Sequence, residues 1–144
     1  MQTIVKTLIN ELDRSKLQPQ GFRKIRHRFY RNKETYIEYF DIQGSSWNSS
    51  NAPWRFYLNT AIDFIDIPKG NSVQFQAEGR IEWIVKGTKP HFELSTETYE
   101  SLLIEVPLLI ERASVLIPDL LPAVRQRVEK GLDSTLPTMK WMKE

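Results

Sequence analysis

The 144-residue chain contains no cysteine. That excludes a disulfide framework, a thiolate metal site and a cysteine nucleophile. It has two histidines, His27 and His91, far apart in the chain. Neither falls in HExxH or another paired metal-ligand spacing, so no metal site is expected. Its six glycines are scattered. No glycine-rich loop is there to cradle phosphate, and no GxSxG elbow to present a serine nucleophile. The longest apolar stretch, Leu102–Ile110, is cut by Glu105 and Pro107. It falls well short of the ~20 apolar residues that cross a bilayer. The opening MQTIVKTLINELDR turns polar within each helical turn and does not read as a secretory signal. The expectation is a cytoplasmic protein with no cofactor, no metal, no membrane association and no catalytic residues.

With 40% hydrophobic residues over this length, residues 1–144 are expected to form a single α+β domain. The net charge of +2 hides an asymmetry. Residues 1–33 carry nine basic and two acidic side chains, and residues 34–119 carry six basic and thirteen acidic.

Ile4, Val5, Leu8, Ile9 and Leu12 recur at helical spacing, which predicts a helix over 3–17, ended by Pro19 and Gly21. Phe22–Ile25 and Arg28–Arg31 read as short strands. Thr35–Gln43 alternates, with Tyr36, Glu38, Phe40 and Ile42 on one face and Ile37, Tyr39, Asp41 and Gln43 on the other. Trp54–Ile65 alternates most clearly, with Phe56, Leu58, Ile62 and Phe64 opposite Arg55, Tyr57, Asn59 and Asp63. Val73–Ala77, Arg80–Lys86 and His91–Leu94 complete the expected strands, with Ile81, Trp83 and Val85 sharing a face of the second. From Ser95 the pattern is helical, with Ser95 or Thr96 as cap, a kink or restart expected at Pro107 and a break at Pro118. Met139, Trp141 and Met142 suggest a tail docked on the body. The fold class is α+β: an N-terminal helix, an antiparallel sheet of about five to six strands, and C-terminal helices packed on one face.

Three sets of residues are candidates for binding. The loop Gly44–Pro53 combines rigid aromatic and adaptable polar groups, the composition of many recognition loops. Its candidate contacts to a protein partner are Trp47, Asn48, Ser49, Ser50 and Trp54; a plain hairpin loop with tryptophans folded onto the sheet fits equally. Gln43, Asn59 and Arg80 are polar residues placed in strands, and would form either a ligand-binding cluster or a structural hydrogen-bond network. Arg23, Lys24, Arg26, Arg28 and Arg31 form the densest basic stretch, with Phe29 or Tyr30 as a stacking face for nucleic acid. The bland alternative is a solvated edge hairpin.

The order Leu17, Gly21-Phe22, Phe29-Tyr30-Arg31, Gln43 with Ser45-Ser46 and Asn48, then Phe56 and Leu58-Asn59, resembles the bacterial family called domain of unknown function 4304. The resemblance runs over roughly residues 10–65, with Thr60 where the family pattern has glycine. It implies a small cytosolic α+β protein with no established activity, and by association a role in neutralising a toxin. The leading expectation is therefore a non-enzymatic protein-binding module, its basic partner steered by the acidic middle segment. Nucleic-acid binding and small-molecule binding are the alternatives.

Overall fold

Val5, Leu8 and Ile9 are buried along one side of α1 (Thr3–Glu11), as their spacing requires. The helical path continues to Leu17, but Leu12–Leu17 winds as a π turn, with the Gln18 N–H donating to the Asp13 carbonyl. Five residues of α-helix sweep about 500°, which would carry Leu17 some 140° off the stripe. The wider turn returns it, and both Leu12 and Leu17 are fully buried. A 3₁₀ turn, Gln18–Gln20, then ends at Gly21, whose φ of +92° suits a residue without a Cβ.

The computed structural model describes residues 3–46, 48, 53–70, 73–132 and 134–136. After Gly21 come β1 (Arg23–Ile25), β2 (Arg28–Asn32), β3 (Tyr36–Gly44), β4 (Trp54–Phe64), β5 (Ala77–Arg80), the short α2 (Ile81–Ile84), β6 (Phe92–Leu94) and α3 (Tyr99–Glu129). The fold is α+β. Neighbours β1-β2-β3-β4-β5 pair antiparallel in sequence order, and β6 makes the sixth strand of the sheet. Eleven-residue β4 takes β5 beside Asn59–Ile62 and β6 beside Trp54–Phe56. The inward residues of β2, β3 and β4 share one hydrophobic core with α1 and α3.

Three expectations change. Arg80–Lys86 is not a strand: Arg80 closes β5, and Ile81–Ile84 makes one helical turn. Buried Ile81, Ile84 and Val85 follow helical spacing, while Trp83 is 39% exposed rather than inward. Seven residues are too few for periodicity to separate the two. Of Val73–Ala77, only Ala77 lies in a strand. The break expected at Pro118 is absent, and the helix does not restart at Pro107: α3 runs as one helix through Pro107, Pro118 and Pro122, starting at Tyr99 after Thr98. Each proline removes one amide donor and costs on the order of 3 kcal/mol in an isolated helix. Ten buried residues along α3, Pro107 among them, offset that. Met139, Trp141 and Met142 lie outside the described residues.

A carboxylate is sealed inside this core. Glu38 has no exposed surface. Arg31 Nε donates to its Oε2 at 2.8 Å, and the Ser114 hydroxyl sits 2.8 Å from Oε1. Arg31 also donates to Ser114 Oγ and to the Gln20 carbonyl, each at 2.9 Å, and stacks over Phe22 at 4.2 Å. This cluster ties β2, β3, the 3₁₀ turn and α3 together. A second lock lies at the edge of β5: Leu136 donates to the Glu78 carbonyl, and Gly79 is the only residue that fits there, since a Cβ would meet the Leu136 carbonyl oxygen.

Candidate functional site

Because side chains alternate, the core takes one face of the sheet and leaves the other to polar and aromatic residues. The register lines these up in rows. Ile25, Arg28, Asp41, Asn59 and Arg80 are successive cross-strand partners from β1 to β5. Beside them run Arg23, Tyr30, Tyr39, Ala61 and Glu78. Gln43 pairs with Tyr57 and Arg55 with Glu93. Most of these side chains are half-buried or exposed.

The three polar strand residues share this face. Asn59 Nδ2 donates to Gln43 Oε1 at 2.7 Å. Arg80 neighbours Asn59 and lies over the Tyr57 ring, 3.9 Å from its centroid. Across the sheet, Arg28 lies over Phe75 at 4.7 Å, and Phe75 packs 4.8 Å from Tyr39. Between the two arginines is a cavity of about 320 Å³, with small Ala61 in its lining and Tyr39, Phe75 and Trp83 around it. His27 Nδ1 is 2.6 Å from Asp41 Oδ1 at one end.

One wall is held by Asp63. Its carboxylate accepts from the Gln76 amide, the Tyr39 hydroxyl and Lys69 Nζ, so the segment after β4 folds back over the sheet. Burial, then the Asp63 charge and hydrogen bond, push the Tyr39 phenol up to about 12. Burial and a bond to Glu11 do the same for Tyr99, also to about 12. A phenol whose proton is held more tightly in the folded state stabilises fully below the unfolded pKa, near 10, and that contribution disappears as pH rises through the folded value. Unfolding midpoints measured from about pH 9 to about pH 12 are expected to fall steadily above about pH 10, and Tyr39→Phe should flatten part of that fall.

The other predicted residues separate. Asn48 is committed to its own loop, bonding the Arg55 amide at 2.8 Å and the Arg55 carbonyl at 2.6 Å. Trp54 lies on the core side, stacked 5.8 Å from Phe56, with Gly44 against its ring. Trp47, Ser49 and Ser50 lie outside the described residues. The basic stretch is not one patch. Arg31 is tied to Glu38 and Ser114, and Phe29 is fully buried, so neither is available to nucleic acid. Arg23 and Arg28 lie in rows of the open face, Lys24 pairs across from Phe29 on the other, and Arg26 occupies the turn at φ 58°. Within the acidic middle segment, Glu38, Asp63, Asp66, Glu93 and Glu105 each face a cation. Arg28, Tyr39, Phe75 and Trp83 join the polar cluster only through register and through the fold-back after β4. Alternation placed Tyr39 on this face, but nothing local in sequence pointed to Phe75.

The family described as Domain of unknown function (DUF4304) matches residues 14–115, more than half of the chain and well into α3. The chain belongs to that family. No curated protein and no solved structure matches it.

Proposed function

We propose that this member of the DUF4304 family is a non-enzymatic binding module that holds a partner protein on the face of its sheet opposite the core. The composition of that face carries the reading: Tyr30, Tyr39, Tyr57 and Trp83 beside Arg23, Arg28, Arg55 and Arg80. Tyrosine, tryptophan and arginine are the residues that dominate binding energy at protein interfaces. Among the described residues, Arg23, Arg28 and Arg80 make no ion pair, so the surface suits an acidic partner. The family resemblance implies, by association, a toxin as that partner; the acidic patch on it is inferred from the arginines of this face.

Panning a displayed library of random peptides on the immobilised protein tests it. Enriched sequences are expected to be acidic and aromatic. Tyr57→Ala should weaken them about 30-fold, the scale of a ~2 kcal/mol hot spot. Enriched peptides indifferent to Tyr57 would place recognition elsewhere. Retention of oligonucleotides, with affinity falling steeply in salt, would replace the protein reading with a nucleic-acid one.

A further inference from the structure

A guanidinium held on an aromatic ring keeps its full charge and needs an acceptor. Arg28 on β2 and Arg80 on β5 belong to one cross-strand row and line the cavity, each fixed over a ring, and among the described residues neither meets a carboxylate within ion-pair distance. The Nε of Arg28 is shielded from water and has no hydrogen-bond partner. Leaving such a donor unsatisfied is costly. Its direct cross-strand neighbour, Asp41, is turned to His27 instead. The cavity volume, about 320 Å³, lies at the small end of ligand-sized pockets. Tyr39, Phe75 and Trp83 line it with flat apolar surface.

We propose that this cavity is a binding site for a monocarboxylate carried on a flat aromatic body. The ring of the ligand packs among Tyr39, Phe75 and Trp83, and its carboxylate meets the arginine heads, which suit planar, bidentate recognition. Asp41 and Glu78 also line the cavity. Their charges disfavour a phosphate dianion more strongly than a single negative charge. The site rests on the open face assigned above to a partner protein. There it would seat an acidic residue or chain terminus of that partner, and a free aromatic acid has the same chemistry.

The test uses phenylacetate, phenylalanine and inorganic phosphate as probes, titrated into the whole protein and followed by amide chemical shifts. Phenylacetate is expected to bind saturably, shifting the amides of residues 59–61 and 78–80. Arg28→Met and Arg80→Met should each weaken it at least tenfold while leaving the thermal midpoint within a few degrees. Phosphate should not bind. Absence of saturable phenylacetate shifts at millimolar concentration would overturn the proposal. So would affinity unchanged in both variants, or phenylalanine or phosphate binding better than phenylacetate. Peptides that still bind through Tyr57 while phenylacetate does not would sink the pocket alone. Phenylacetate binding with no peptide enrichment would sink the partner surface and leave the pocket standing.

Discussion

Arg31→Met is expected to destabilise the protein by about 3–5 kcal/mol, the cost of stranding a buried carboxylate without its cation. Glu38 has no contact with water, and Arg31 and Ser114 are the groups that bond its oxygens. Without the guanidinium, the Gln20 carbonyl and the Ser114 hydroxyl also lose a donor. Domains of this size have roughly 5–15 kcal/mol of stability in total, so one substitution removes a large share of it. Arg31→Lys should recover little, because an ammonium cannot reproduce the fork that reaches three acceptors. The double variant Arg31→Met, Glu38→Leu should recover most of the loss, since an apolar pair of similar volume needs no counter-charge. Urea unfolding of the single and double variants measures both. A single variant that loses less than about 1 kcal/mol would show that Glu38 finds another partner.

Phe56→Ala is the second large effect, also about 3–5 kcal/mol. Phe56 is fully buried and stacks between Trp54, at 5.8 Å, and Phe92, at 5.2 Å. Phe92 belongs to β6, a strand of three residues that pairs with the same end of β4. Truncation therefore opens a cavity and unstacks the ring holding the shortest strand in place. Hydrogen exchange should show Phe92–Leu94 losing protection before the centre of β4. Phenylacetate binding below the melting temperature should be unchanged, because Phe56 lies on the opposite face from the cavity. Equal loss of protection along all of β4 would mean that the ladder of rings acts as one unit with the sheet.

The central strands and the first helix were legible because each buries one face over many residues. Nine residues of Tyr36–Gly44 and eleven of Trp54–Phe64 repeat a two-residue period long enough to exclude other readings. That alternation also sets Gln43 and Asn59 on one face, and the structure brings them to 2.7 Å. Short elements were not legible. Ile81–Ile84 offers a single turn, and the neighbouring Gly79 signals a close approach whose other party, Leu136, is 57 positions away. The prolines of α3 misled for a different reason: local propensity disfavours them, and tertiary burial overrides it. Arg31 read as one more charge in a basic run. Its inward direction follows from sharing a face with Phe29, a one-in-two alternation that a run of arginines obscures. Phe75 reaches the cavity through the fold-back held by Asp63, a contact between residues far apart in the alternating pattern.

The π turn at Leu12–Leu17 loosens a constraint that helices ordinarily impose on chain length. Deleting a residue from an α-helix rotates everything beyond it by about 100° and scrambles which side chains point inward. Here the count already runs one over. With exposed Ser15 removed, Leu17 would follow Leu12 by four positions, which is the natural repeat of an ordinary helix. The sheet beyond would meet the same apolar anchors. A one-residue deletion of the kind that would disrupt α1 or α3 is thus expected to be absorbed at this one joint.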